Sequence, residues 1–332
     1  MKYEELGHSG INVSPISLGC MGFGRPNPNF LTWTIPGVDH AQNIIHHALD
    51  LGINYFDTAN VYTNGDSEEY LGQALRNLGV KREDVVIETK VFFNEDKLSS
   101  QAIEREIDGS LQRLGMDYVD VYMIHRFDYD HPIEETMEAL NGLVKAGKVR
   151  ALGASAMFGY QVYNMQRVAL ENGWEPFSVM QNHYSLIYRE DERDLIPVCK
   201  QFDISLAPYS PLAAGHLGRP TWQGESERSR VDTVMQKKYD AFEKADMPII
   251  ARVVELARRY GVSMAQIALA WQWAKGIQSP VLGSIRTDHL DDAVAALNVK
   301  LSLDDIAYLE ELYQPHAVVG ALSPGGPERI ER

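Results

Sequence analysis

Four residues in the first 125 positions have the types and settings that proton transfer needs. Asp57 ends the run Asn54-Tyr55-Phe56-Asp57-Thr58-Ala59, and Tyr62 follows five residues later. Lys90 closes Val85-Val86-Ile87-Glu88-Thr89-Lys90, and His125 closes Val121-Tyr122-Met123-Ile124-His125. A tyrosine hydroxyl titrates near ~10 when unperturbed, too high for an efficient acid near neutrality. A neighbouring ammonium stabilises tyrosinate and lowers that value, and Lys90 can supply it. Asp57 would hold Lys90 charged and oriented, while His125 would hydrogen-bond a substrate oxygen and direct it toward Tyr62. Taken singly, each residue has an ordinary alternative: Asp57 as a helix cap, Lys90 as a solvated strand end, His125 as a satisfied core histidine. Taken together they form a working acid. Such an acid protonates an alkoxide but has no hydride of its own, so a cofactor is required.

The sequence does not advertise how that cofactor is held. Gly22-Phe23-Gly24 lacks the third glycine of the dinucleotide fingerprint, and no acidic residue follows at ribose distance. Gly142-Leu143-Val144-Lys145-Ala146-Gly147-Lys148 mimics a phosphate loop, but Val149 stands in place of Ser or Thr and the string lies at a helix end. It is set aside, because the strand-loop-helix context is missing.

The elements that position these groups follow a regular beat. Short apolar runs with strand character occur at 16–18, 55–56, 85–87, 119–124, 151–152, 179–180, 205–207 and 281–282. From Phe56 to Leu206 their centres are 31, 36, 29, 28 and 26 residues apart, about one strand-helix unit each. Parallel strands joined by crossovers are implied. Ile103, Ile107, Leu111 and Leu114 share one helical face, which would pack on the sheet. Asp39/Gln42, Asp66/Glu69, Ser263/Gln266 and Ser302/Asp305 have capping-box spacing. Gly52, Gly79, Gly115, Gly147 and Gly173 each follow a periodic segment and can close a helix. The expected fold is α/β, a (β/α)8 TIM barrel with an N-terminal β-hairpin and two long loops, 22–38 and 211–246, at the mouth. One domain over 1–332 is expected, with about 313–332 as a loosely held tail.

Composition narrows the partners. The net charge of −15 and the lack of a basic block oppose nucleic acid or an anionic membrane as partners. Cys20 and Cys199 stand alone, so neither a disulfide framework nor a metal site is expected. The start has no apolar signal segment and no stretch is long enough to span a bilayer, which points to a soluble, cytoplasmic protein. The oligomeric state stays open.

At these residues the chain resembles the aldo-keto reductases, whose Asp, Tyr, Lys and His tetrad matches Asp57, Tyr62, Lys90 and His125 in order and strand context. The resemblance covers nearly the whole chain. It includes Leu18-Gly19-Cys20-Met21-Gly22, Arg113-Leu114-Gly115-Met116-Asp117-Tyr118-Val119-Asp120 and Gly147-Lys148-Val149-Arg150. The chain looks closer to a bacterial branch carrying His125-Arg126-Phe127-Asp128-Tyr129 and a Pro315-His316 tail, some of whose members are named 1-deoxyxylulose-5-phosphate synthases.

The resemblance implies hydride transfer between NADPH and an aldehyde or ketone, with Tyr62 as general acid. It also implies that Gly22 and Asp57 border the cofactor, that Ser155 and Gln181 hydrogen-bond the nicotinamide carboxamide and that Tyr209 stacks on its ring. Ser210, Leu212, Gly215, Leu217 and Arg219 resemble a segment covering the pyrophosphate. Gly283, Ser284, Arg286, His289 and Asp292 resemble the adenosine end, where Arg286 would meet a 2′-phosphate and favour NADPH over NADH. Ala156 and Ala293 depart from the Asn that many relatives carry. Phe23, Trp33, Phe92, Phe93 and Phe127 sit on mouth loops, where rings either line a ligand or pack the loops together. Arg126 would meet a substrate phosphate or carboxylate, or equally pair with Asp128 or Asp130. Carbonyl reduction is the leading expectation; sugar-phosphate chemistry and a cofactor-sensing module are the alternatives.

Overall fold

The computed structural model describes residues 1–26, 33–35, 37–224 and 227–321. A short hairpin, β1 (Glu4–Glu5) and β2 (Asn12–Val13), comes first. Then strands and helices alternate: β3 (Ser17–Gly19), α1 (Val38–Asp50), β4 (Tyr55–Asp57), α2 (Asp66–Asn77), β5 (Val86–Val91), α3 (Ser100–Leu114), β6 (Val119–Ile124) and α4 (Ile133–Lys145). The series continues through β7 (Val149–Ser155), α5 (Gly159–Asn172), β8 (Phe177–Gln181), α6 (Leu195–Gln201) and β9 (Ser205–Leu206). After β9 come α7 (Glu227–Val231), α8 (Thr233–Tyr239), α9 (Glu243–Tyr260), α10 (Met264–Ala274), β10 (Val281–Gly283), α11 (Thr287–Ala295) and α12 (Leu303–Glu310).

The eight strands β3 to β10 form one parallel sheet in the order β10-β3-β4-β5-β6-β7-β8-β9. A Tyr209–Val281 bridge and the Val281 amide donating to the Pro208 carbonyl (2.9 Å) join the two edges, so the sheet closes as a (β/α)8 barrel. Strand residues alternate between two cores. Ile87, Val91, Tyr122, Ile124, Leu152 and Met180 face outward into the helix layer. Tyr55, Val86, Val121, Met123, Ala151, Val179 and Ala207 face the barrel axis, and Leu6, Ile11 and Val13 of the hairpin plug its lower end. A Cβ at Gly153 would come within 2.8 Å of Met123 and 2.9 Å of Val179, so any side chain there would force its neighbours on the crowded axis to shift.

The helix layer follows its pattern. Ile103, Ile107 and Leu114 of α3 are fully buried, Ser99 caps the helix by accepting from the Ala102 amide, and Gly115 ends it at φ 65°. Burying each such aliphatic side chain stabilises the fold by roughly 1.5–3 kcal/mol. The expected caps at Ser263 and Ser302 are present. Asp39 and Asp66 instead lie inside α1 and α2, and Asp66 pairs with Arg25, a competing ion pair that the capping spacing does not reveal.

The two long connections differ from plain loops. Phe23 and Ile35 form a bridge that closes the first; its residues 27–32 and 36 lie outside the described set. Most of the second folds into short helices, hidden in sequence by their polar surface. The tail is tied down at least to Val319: His316 meets the Asp246 carboxylate at 3.1 Å, and the Val319 amide donates to Tyr188. Residues 322–332 of the expected tail lie outside the described residues. Among the described residues, no helix is long and apolar enough to cross a membrane, and no His, Cys, Asp and Glu cluster is arranged to hold a metal.

Candidate active site

Period-two alternation builds the site. Tyr55/Asp57, Glu88/Lys90 and Met123/His125 are pairs two residues apart, so the second member of each sits one layer higher on the same inward face. Ser155, Gln181 and Tyr209 complete that upper layer at the C-terminal ends of β7, β8 and the segment after β9. Six chemically active groups therefore ring the mouth above an apolar plug. Tyr62 reaches the same place from the turn between β4 and α2, where Thr63 and Asn64 adopt left-handed backbone angles.

Lys90 is sealed from solvent and held by the Asp57 carboxylate, by the Thr58 carbonyl at 2.8 Å and by Glu88 at 3.5 Å. Burial works against its charge, but Asp57, Tyr62 and Glu88 outweigh that and hold the ammonium above its ordinary range. Its Nζ lies 5.2 Å from the centre of the Tyr62 ring. The Tyr62 hydroxyl answers differently from the expectation. Burial raises it more than Lys90 lowers it, and it settles at about 12. His125 is pushed well below its usual value by burial, then by Arg126 and Lys90, so the imidazole is neutral. Its edge meets the Tyr62 ring at 5.6 Å. Its Nδ1 is buried without a partner, leaving Nε2 as the atom open to the mouth.

Glu88 was not singled out from the sequence. It is fully buried, accepts from Tyr55 below and from Gln181 Nε2 at 2.8 Å, and burial lifts its carboxyl to about 8. Gln181 Nε2 also donates to Asp57 at 2.9 Å, so both of its N–H groups serve carboxylates and its carbonyl oxygen stays available. The signal was present in parity, because Glu88 stands two residues before Lys90 on the inward face of one strand.

After β9, Tyr209 exposes part of its ring while its hydroxyl is buried without a partner among the described residues. Behind it, His183 lies parallel at 5.2 Å and Tyr188 stacks on His183 at 4.0 Å, a stiff aromatic platform. Lys238 of α8, also missed in sequence, lies 5.0 Å from the Tyr209 ring centre. Ser155 is buried at the strand end beside this platform. Ser210, Ala213 and Ala214 hold left-handed backbone angles that side chains rarely adopt, next to Gly215 at φ 94°. Such strain and such nests of amides recur where backbone wraps an anion. These features fit a flat pyridine ring followed by a pyrophosphate.

The remaining positions vary. Leu212 is half-buried beside the core, whereas Leu217 is fully buried and can offer only backbone. Arg219 turns back on its own loop, donating to the Trp222 carbonyl at 2.8 Å. Gly22 lies between Trp33 and Ile285, each 3.3 Å from where its Cβ would be. Gly283 ends β10, and Ser284 closes a turn onto Arg286. Arg286 pairs with Asp288 in an exposed fork, and His289 is exposed on α11. Asp292 is drawn into the cap of α10, accepting from Ser263 at 2.6 Å and Gln266 at 2.8 Å.

The mouth sorts its rings by burial. Phe23 is fully buried and packs the core instead of the opening, because its bridge to Ile35 turns it inward. Phe92 is nearly buried, Phe127 is half-buried against Tyr129, and Trp33 is half-buried. Phe93 is the exposed ring of the group, set edge-on to His125 at 5.0 Å.

Comparison with known proteins agrees with this geometry. The model of the aldo/keto reductase family matches residues 15–314. A versiconal hemiacetal acetate reductase of Aspergillus parasiticus is 40% identical, over 96% of this chain and 98% of its own. An aldo-keto reductase of Fusarium vanettenii is also 40% identical, over 96% and 92%. A Saccharomyces cerevisiae protein bearing the name of an aryl-alcohol dehydrogenase is 38% identical, over 95% and 98%. With an eight-stranded barrel carrying a tyrosine, a buried ammonium and a neutral imidazole at its mouth, the chain belongs to the aldo/keto reductase family and is an oxidoreductase.

Proposed function

We propose that the chain is a cytoplasmic, single-domain reductase that uses NADPH to convert small aldehydes or ketones to alcohols. One observation carries the reading: the Tyr62 hydroxyl, the neutral His125 and the buried Lys90–Asp57 pair share one mouth with the Tyr209 platform. Ser155 and the Gln181 carbonyl oxygen would hold the carboxamide, the strained backbone at 210–215 would hold the pyrophosphate, and Arg286 would exchange Asp288 for a 2′-phosphate. When bound, the nicotinamide would supply hydride to the carbonyl carbon.

The chain's own residues handle the proton. His125 Nε2 donates to the carbonyl oxygen and aims it at Tyr62, which a charged imidazolium beside Lys90 could not do as cheaply. As negative charge grows on that oxygen, Tyr62 gives up its proton. A donor at about 12 still protonates an alkoxide downhill, and Lys90 steadies the tyrosinate left behind. Solvent then restores the phenol.

The test is reduced-nicotinamide absorbance with benzaldehyde, a probe chosen because one relative bears an aryl-alcohol dehydrogenase name. Tyr62→Phe should lower kcat by roughly 10²–10⁴-fold with the NADPH Kd unchanged. Undiminished turnover in that variant would remove Tyr62 from the role.

A further inference from the structure

We infer that Arg126 is a subsite for an anionic group, a carboxylate or a phosphate ester, carried by the carbonyl substrate. This deepens the reductase reading and rests on it. Arg126 directly follows His125 and is half-buried, with its guanidinium 5.5 Å from the centre of the Phe93 ring. One Nη1 hydrogen goes to the His125 carbonyl at 2.5 Å, which orients the fork and leaves its other donors free.

The expected carboxylates do not reach it. Asp128 accepts from His131 at 2.8 Å and from the Leu98 amide at 3.0 Å, and Asp130 pairs with Lys97. Among the described residues, no carboxylate lies within 4.0 Å of the Arg126 guanidinium, whereas Arg25, Arg82, Arg113, Arg150 and Arg189 each have at least one, and Arg219, which lacks one, spends its donors on the Thr221 and Trp222 carbonyls and on His216. A half-buried guanidinium gains from a negative partner, and the described residues supply none within 4.0 Å. Its field does reach the reacting groups: it adds to the lowering that burial imposes on His125 and partly offsets the rise that burial imposes on Tyr62 and Tyr209.

Position argues that the partner is substrate and not cofactor. In the closed order, β6 lies opposite β10, the strand that leads to Arg286. An anion on Arg126 would therefore hang from the end of the substrate remote from the nucleotide phosphates. Phe93 stands between, edge-on to His125 and beneath the guanidinium, so a short planar or carbon spacer fits along its face. On a chain of net charge −15, this cation also makes the mouth a local focus for anions.

The experiment compares matched pairs: 4-carboxybenzaldehyde against benzaldehyde, and glyceraldehyde 3-phosphate against glyceraldehyde. Wild type should favour the anion in at least one pair by about tenfold or more in kcat/KM, and the favoured pair tells carboxylate from phosphate. Arg126→Gln should cut that ratio by roughly 10–100-fold, and Arg126→Lys should fall between. The ratio cancels any general effect of the charge on Tyr62. A ratio equal in wild type and Arg126→Gln overturns the proposal. Calorimetric titration of terephthalate and of inorganic phosphate into the NADP+-loaded enzyme needs no turnover. If no carbonyl is reduced, the reductase reading fails, and this titration decides the subsite: weaker binding in Arg126→Gln upholds it, while equal or absent binding rejects it.

Discussion

At the floor of the mouth, Lys90, Asp57 and Glu88 are sealed from solvent and bound to one another and to Gln181. On the rim between β10 and α11, Arg286 and Asp288 leave 62% and 59% of their side chains exposed while forming a pair of the same chemical type. The contrast lies in what each pair can exchange. A desolvated pair has strong coupling and no water to replace a lost partner. An exposed pair is worth little and opens readily to a better anion. The floor is therefore built to stay as it is, and the rim is free to trade partners with an incoming anion.

Removing one charge from each region breaks or keeps that contrast. Lys90→Met leaves the buried Asp57 carboxylate without its cation and should lower stability by about 3–5 kcal/mol in urea unfolding, besides abolishing most turnover. Arg286→Gln should leave the urea midpoint where it was. Equal destabilisation in the two variants would refute the distinction between floor and rim. The second effect is on binding: Arg286→Gln should raise the NADPH Kd about tenfold by fluorescence titration and leave NADH within about twofold. An equal loss for both cofactors would place the 2′-phosphate elsewhere.

The smallest effect sharpens the account of the floor. Glu88 titrates at about 8 in the folded protein, above the ordinary ~4.3 of a free glutamate. The folded state thus binds the extra proton, so the stability tied to it is whole below ~4.3 and is lost as pH rises to about 8. Glu88→Gln should flatten the fall in Tm between about pH 5 and about pH 8. Above about pH 8 the ionised Glu88 also raises Tyr62, so wild-type reduction should slow a few-fold there and the variant should not. Matching pH profiles in the two proteins would show that Glu88 does not tune the acid.

Much of the framework was legible because its causes are local. The strand beat, the closing glycines at Gly115 and Gly173 and the caps at Ser263 and Ser302 depend on neighbours a few residues away. The strand-end positions of Asp57, Lys90 and His125 were legible for the same reason. The helices within 211–246 were not, since a polar, short segment lacks the apolar stripe that marks a helix. Phe23 looked like a mouth residue until its bridge to Ile35 turned it inward. Asp292 looked free until α10 claimed its carboxylate across 29 residues.

The amino-acid order by itself determined which groups stand at the ends of which strands, because alternation and punctuation act over short spans. Only the folded barrel decided their charge states. Tyr62 ends higher than its lysine alone would set it, Glu88 keeps a proton, and Arg126 finds no acid among the described residues. Those outcomes depend on burial and on fields from partners as distant in the chain as Gln181 is from Asp57, 124 residues apart.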